Sequence, residues 1–277
     1  MKILITGGNG QLGQELQHLL SDRNVEYTAT DSKELDITDK KKVDNYFHQN
    51  HPEVVYHCAA YTAVDKAEGE GKETNWNVNA IGTKNIAQAC QREHSTLVYI
   101  STDYVFNGEK ETEYTYNDEK APKNQYGKAK FAGEKAVIKY CDKYYIVRTA
   151  WVYGQYGHNF IYTMLKLAKD HNLITVVNDQ VGRPTWTKTL AEFITFLVNK
   201  HIEYGVYHCC NDGECSWYDF ASEILKDKDI EVKPVTSDQF PQDAFRPKYS
   251  VMELSKETGF RFPQWQDTLH EFLKTIE

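Results

Sequence analysis

Short apolar runs rich in β-branched and aromatic residues recur through the first half of the chain, at Ile3–Ile5, Val25–Thr28, Val54–Tyr56, Leu97–Ile100 and Tyr145–Val147. Continuous apolar runs of this length suit strands of a parallel sheet that is covered on both faces. Between them the period changes. Leu12, Leu16, Leu19 and Leu20 fall at i, i+4, i+7 and i+8, one stripe of a helix. Asn75 to Glu93 reads as a second helix and Asn124 to Tyr140 as a third. Strand–helix alternation over about 150 residues predicts an α/β fold built on a Rossmann-type doubly wound parallel sheet. After Trp151 the pattern loosens and prolines gather, at Pro184, Pro234, Pro241, Pro247 and Pro263. Residues 1–150 therefore read as one domain. Residues 151–277 read mainly as a smaller α/β domain, with some segments returning to the first.

The first run leads directly into Thr6-Gly-Gly-Asn-Gly-Gln-Leu-Gly13 and then the Leu12–Leu20 stripe. Gly7, Gly10 and Gly13 are spaced G-x-x-G-x-x-G. The first allows a tight turn, the second lets a pyrophosphate approach the backbone, and the third lets the helix pack close to the strand. The helix start adds free N–H groups and a partial positive charge. A glycine pattern alone fits a flexible turn equally well; strand before and amphipathic helix after make it a dinucleotide site. The second strand ends at Thr30-Asp31, where an acid usually takes the ribose hydroxyls. Ser32 and Lys33 follow and could hold a 2′-phosphate, so these residues leave NADH and NADPH both open. Asp36 could accept the adenine amino group with Ile37 on the ring, or Asp36-x-x-Asp39 could simply cap a helix.

Tyr126-Gly-Lys-Ala-Lys130 places Tyr126 and Lys130 on one helix face. A tyrosine titrating near 10 is a poor acid–base group, and a neighbouring ammonium should lower that value. Ser101-Thr-Asp-Tyr104 ends the fourth strand, facing the expected cofactor crevice, with a hydroxyl for a substrate carbonyl. Y-x-x-x-K is common by chance and can be a solvated helix face; its combination with the glycine loop and the strand-end hydroxyl is far more specific.

Charge narrows the partners. Thirty-two Lys and Arg stand against forty Asp and Glu, a formal charge of -8. Nucleic acid is excluded as the main partner, since a phosphate backbone is held by clustered basic residues. No apolar run reaches the length of a membrane span, and the apolar stretch at Ile3-Leu4-Ile5 is too short for a signal peptide. A cytoplasmic protein is expected. The six cysteines form no C-x-x-C. His208-Cys209-Cys210 with Cys215 suggests a metal site, but adjacent strand residues point to opposite faces, so buried thiols and no metal are expected.

Taken together these features resemble the extended short-chain dehydrogenase/reductase superfamily. Nearly the whole chain resembles the dTDP-4-dehydrorhamnose reductases. That likeness is carried by Thr6–Leu16, Cys58–Glu68, Ser101–Phe106, Arg148–Tyr153, Asn178–Thr185 and Ala244–Pro247. The resemblance implies hydride transfer from NADPH, or NADH in some members, to C4 of a dTDP-linked 4-keto-6-deoxyhexose. It implies that Tyr126 gives the proton, that Lys130 tunes Tyr126 and holds the ribose, and that Thr102 shares the carbonyl oxygen beside Asp103. Gln11 and Leu12 would join the glycines at the phosphates, and Ala60, Tyr61 and Thr62 would lie against the cofactor. Trp151 would pack by the sugar, Asn159 would lie in the nucleotide-sugar site, and Arg246 would reach the diphosphate. The plainer readings are a core aromatic for Trp151, a helix cap for Asn159 and a surface ion pair for Arg246.

Related nucleotide-sugar dehydratases carry Asp-Glu where this chain has Asp103-Tyr104, which disfavours dehydration. A C4 epimerase remains the second enzyme reading. A non-catalytic regulatory subunit, like that of methionine adenosyltransferase, is the third. Family members are monomers or homodimers, some joined by a divalent cation between glutamates. Glu15 stands where one such glutamate would sit, but no metal is expected from a lone helix glutamate.

Overall fold

The computed structural model describes residues 1–276. The chain begins with β1 (Ile3–Thr6), α1 (Gln11–Asp22), β2 (Tyr27–Thr30), α2 (Lys40–Asn50) and β3 (Val54–His57). Then come α3 (Lys72–Trp76), a π-helical segment (Asn77–Gly82), α4 (Thr83–Arg92), β4 (Thr96–Thr102), α5 (Gln125–Tyr140) and β5 (Tyr144–Thr149). Five parallel strands of one sheet arise from these elements, and a sixth, β10 (Gly205–His208), joins beside β5, giving the order β10-β5-β4-β3-β1-β2. The sheet's apolar faces feed two core clusters. One, around Ile5, Leu16, Val98 and Phe193, lies under α1 and α7 (Thr187–Asn199); the other, around Leu4, Val55, Ile86 and Ile146, lies under α2, α4 and α5.

Two boundaries differ from the hydrophobic pattern. β2 begins at Tyr27 because the Val25 N–H closes the end of α1 on the Leu20 carbonyl, and Asn24 turns the chain in a left-handed conformation (φ 54°). The helix expected over Asn75 to Glu93 starts at Lys72 and is broken by the π segment. There Asn79 turns its amide towards the loop after β3, accepting from the Tyr61 N–H at 3.1 Å and donating to the Tyr61 carbonyl at 2.9 Å. Local widening of a helix lets one side chain reach such a partner.

The second half is built from short pieces. These are β6 (Val152–Tyr153), α6 (Phe160–Asp170), β7 (Leu173–Val177), β8 (Val181–Gly182), β9 (Thr185–Trp186), β11 (Cys215–Ser216), α8 (Trp217–Ile224), β12 (Glu231–Val235) and α9 (Trp265–Ile276). Three two-stranded pairings hold them, β6 with β9, β7 with β12 and β8 with β11. Their core gathers Tyr153, Ile161, Trp186, Phe220, Trp265 and Phe272. Between these pieces α7 and β10 return to the large sheet. α7 packs along α1, where the Thr187 hydroxyl donates to the buried Glu15 carboxylate at 2.8 Å.

The junction is held by a buried charge cluster. Arg148, in β5, is the largest fully buried side chain and grips the Glu134 carboxylate of α5 through Nε and Nη2 at 2.9 and 2.8 Å. Ser101 Oγ, in β4, donates to the same carboxylate at 2.6 Å. His208 Nε2 lies 3.3 Å from Arg148 Nη1, and its Nδ1 lies 3.0 Å from the Glu253 carbonyl. Arg can only donate and a carbonyl can only accept, so His208 is neutral with its proton on Nδ1.

Arg148→Met, which strands Glu134 as an unpaired buried charge, is expected to cost about 3–5 kcal/mol in urea unfolding. Adding Glu134→Met should recover most of that loss. Burial, reinforced by the Arg148 charge, holds the His208 pKa down to about 3. Below pH about 6.5 the unfolded chain takes up a proton there that the folded one refuses until about pH 3. Stability therefore falls through that window, by at most about 1.4 kcal/mol per pH unit from this group. His208→Gln, which keeps one donor and one acceptor, should flatten the slope of unfolding free energy against pH between 7 and 5.

Candidate active site

The carboxyl ends of the central strands open onto a cleft of about 700 Å³. Gly10, Gln11, Leu12, Gly13, Ala60 and Thr62 line one side, and Thr102, Asp103, Tyr126, Lys130 and Trp151 the other. A recess of about 300 Å³ continues it beside Gly7, Gly10, Asp31, Ser32, Asp36, Ile37, Ala60 and Tyr61. A third cleft, of about 390 Å³, shares the walls of Tyr104 and Trp217 with the first and is bounded by Phe160, Met164, Val176, Gln242 and Arg246. Lys33 and Asn159 line none of the three.

The glycine turn fits a pyrophosphate. Gly7 has φ +71°, a backbone conformation that side chains disfavour, and a Cβ on Gly13 would stand 2.2 Å from the Gly7 carbonyl oxygen. Gly10 caps α1 with no side-chain acceptor, and the first turn carries no acid, so the leading N–H groups face the cleft unclaimed. In the recess, Asp31 accepts from Asn9 Nδ2 at 2.5 Å and from the Lys33 N–H at 2.7 Å. A hydrogen bond shared with the Glu34 side chain, together with the Lys33 N–H, holds its carboxyl below the usual range. Ser32 lies on the recess wall, whereas Lys33 is exposed and does not line it. Asp36 spends Oδ1 on the Thr38 N–H and hydroxyl at 3.0 and 2.7 Å. The helix cap is Asp39, which accepts from the Lys41 and Lys42 N–H groups.

Asn124 starts α5 by accepting from the Gly127 N–H at 2.7 Å, which sets Tyr126 in the first turn and Lys130 one turn later. The expected lowering of the tyrosine does not occur. Burial pushes the Tyr126 phenol above its ordinary value, Asp103 and Tyr104 add to the rise, and only Thr102 opposes it. Lys130 lines the same cleft, with Nζ 4.3 Å from the centre of the Tyr99 ring. Burial brings its own pKa down to about 7, against the raising pull of Glu134. Thr102 Oγ1 donates to Asp103 Oδ1 at 2.9 Å. The other carboxylate oxygen of Asp103 is buried without a partner, and burial raises this carboxyl to about 6.

Trp151 follows β5 in a left-handed conformation (φ 49°), and its indole stacks on Trp217 with centroids 3.6 Å apart and planes 10° off parallel. Asn159 is a helix cap. Its Oδ1 accepts from the Ile161 and Tyr162 N–H groups, and its Nδ2 donates to the Gly154 carbonyl at 2.8 Å and towards Gln11. Those bonds engage both ends of the amide, and the side chain lines none of the three clefts. Arg246 lies at the mouth of the third cleft, paired with Asp65 at 2.8 Å. Three contributors were given no place in the site by the sequence motifs. Tyr104 meets the Tyr126 ring edge-on at 6.1 Å, Trp217 forms the platform under Trp151, and Asp65 holds Arg246. Tyr104 and Asp65 stand inside the Ser101–Phe106 and Cys58–Glu68 motifs, and Trp217 follows Ser216 of a Ser216-x-x-Asp219 capping box that starts α8.

Among the described residues no group of three or more His, Cys, Asp or Glu is arranged to hold a metal ion, and Cys209, Cys210 and Cys215 are buried free thiols. No described helix is long and apolar enough to cross a membrane.

Comparison with known proteins agrees with this geometry. The family model described as RmlD substrate binding domain matches residues 1–277. A dTDP-4-dehydrorhamnose reductase of Aggregatibacter actinomycetemcomitans is 38% identical over 285 aligned residues, covering 97% of each chain. The crystal structure of a dTDP-4-dehydrorhamnose reductase from Clostridium acetobutylicum superposes with a TM-score of 0.96 at 47% identity, covering 100% of this chain and 99% of that one. That of the Bacillus anthracis reductase, in complex with NADP, gives 0.95 at 40% identity over 99% of both chains. The chain thus belongs to the RmlD substrate-binding-domain family of dTDP-4-dehydrorhamnose reductases, and it is an oxidoreductase.

Proposed function

We propose that this chain reduces the C4 keto group of dTDP-4-dehydro-L-rhamnose to give dTDP-L-rhamnose, with NADPH as hydride donor. The observation that carries the reading is Tyr126, Lys130, Thr102 and Asp103 on one wall of a cleft whose other wall is the glycine turn. Asp31 leaves NADH open as a ribose ligand, whereas Ser32 on the recess wall and the NADP bound to the B. anthracis relative favour NADPH.

The bound nicotinamide supplies the hydride to the carbonyl carbon. Tyr126 donates its phenolic proton to the oxygen as negative charge develops there. Burial raises its pKa, so the phenol holds its proton until the alkoxide forms. Thr102 supports the same oxygen, exchanging its bond to Asp103 for one to the substrate. Asp103, left with a buried oxygen that lacks a donor, suits a sugar hydroxyl. Lys130 brings a positive charge beside the cofactor ribose and the reacting oxygen. Trp151 and Trp217 give the sugar an apolar wall. The third cleft, apolar inside and closed by Arg246, suits the base and diphosphate of a nucleotide. A single hydroxyl-bearing strand end beside Tyr104 has no second carboxylate for elimination of water.

The test mixes purified enzyme with NADPH and dTDP-4-dehydro-L-rhamnose and follows loss of reduced nicotinamide absorbance. One NADPH consumed per dTDP-L-rhamnose formed is expected. Turnover of sugar without net oxidation would mean epimerisation, and no turnover with both ligands bound would sink the enzyme reading. Tyr126→Phe is expected to lower kcat by about 10²–10⁴-fold. The free enzyme should also lose kcat/KM as pH rises through about 7, as Lys130 gives up its charge. Lys130→Met should abolish that limb along with most of the activity.

A further inference from the structure

The guanidinium of Arg246 is fixed on two sides. Nη2 donates to Asp65 Oδ2 at 2.8 Å, and Nε donates to Gln242 Oε1 at 2.6 Å. The other Asp65 oxygen accepts from the Ala244 N–H at 3.1 Å. One carboxylate thus holds both the arginine side chain and the backbone that carries it. The guanidinium carbon stands 5.7 Å from the centre of the Tyr104 ring, the wall shared by the catalytic and nucleotide clefts. Nη1 is buried with no partner in full hydrogen-bond geometry, and the guanidinium lies against the Tyr104 phenol, whose pKa burial raises and Arg246 draws back.

This arrangement has no adequate explanation in stability. Asp65 is 43% exposed, and an ion pair so open to water adds little to folding. A buried donor left unpaired is a liability unless something arrives to accept from it. Asp65 also belongs to the loop whose earlier residues, Ala60, Thr62 and Val64, line the cofactor side of the cleft.

We propose that Asp65 is a positioning residue for the substrate's diphosphate. It holds Arg246 on the wall of the third cleft beside Tyr104, with Nη1 left without a carboxylate or carbonyl partner for the diphosphate to take. The inference rests on the reading of this site as one for a dTDP-sugar. Two effects of Asp65 oppose each other. Its charge repels an incoming anion, but water at the rim screens that repulsion and the guanidinium stands between. Its hydrogen bonds spare the ligand the ordering of a long, rotamer-rich side chain and of the backbone at Ala244. We take the second to be the larger, and expect about a tenfold effect on affinity.

Titration calorimetry with dTDP on the NADPH-loaded enzyme, together with steady-state kinetics, tests this. Asp65→Ala is expected to raise the dTDP Kd and the KM for the sugar nucleotide about tenfold, with kcat and NADPH affinity unchanged. A merely structural role would lower kcat and thermal stability instead. Asp65→Asn, which keeps one acceptor oxygen, should fall between. Arg246→Ala should weaken dTDP at least as much as Asp65→Ala, and the double variant should be no weaker than Arg246→Ala alone. Asp65→Ala binding dTDP as well as or better than wild type, while Arg246→Ala weakens it, would overturn the positioning role and leave the reductase reading standing. No effect of Arg246→Ala on dTDP would remove the arginine from the anion site and the proposal with it. A wild-type enzyme that binds no dTDP would overturn the dTDP-sugar reading itself.

Discussion

The bidentate grip of Arg148 on Glu134 decides where the chemistry sits. Two charges removed from water are tolerated only when both are fully met by hydrogen bonds, and here Ser101, His208 and the guanidinium close the set. The grip binds α5 to β4 and β5 at one height. Glu134 lies one turn beyond Lys130 and two beyond Tyr126, so fixing it fixes both above the end of β4. The same carboxylate favours the charged form of Lys130 in a site where burial disfavours it. The structural ion pair and the Lys130 ammonium are therefore parts of one electrostatic unit.

The fold was legible where one segment's own residues decide its state. The apolar β-branched runs became the strands of the sheet, and the Leu12–Leu20 stripe became α1, because burial on both faces or on one face leaves a period in the sequence. The departures came from hydrogen bonds with distant or neighbouring partners. β2 lost Val25 to the end of α1, and the helix expected over Asn75 to Glu93 acquired a π segment for the sake of Asn79. The route of α7 and β10 back to the large sheet has no local signature, since Gly205–His208 is too short to declare its neighbour.

The site divides along the same line. Gly7, Gly10, Gly13, Tyr126, Lys130 and Thr102 could be read because their geometry follows from spacing within a turn or a single helix. Spacing says that Lys130 shares a face with Tyr126; it does not say how dry that face is, and burial raises the phenol with no opposing contribution from the lysine. Asn159 carried the right residue type for a ligand and for a cap, and only the surrounding N–H groups distinguish the two. Asp65 and Trp217 act across 181 and 66 residues of chain, on Arg246 and Trp151 respectively, and no pattern at that distance points to its partner.

The π segment Asn77–Gly82 gives the helix between the β3 loop and β4 two independent phases. Each residue of an α-helix turns the following side chains by about 100°. The extra residue held in the wide turn lets Asn79 face the loop at Tyr61, with Asn75 bonded to it and to the start of α5, while Ile86, Ala87 and Cys90 keep their faces on the sheet. Loss of a single residue there would leave a regular helix with one of those two faces misdirected. Change in this stretch is thus confined to substitutions. Its length is as much a part of the cofactor wall as any side chain on it.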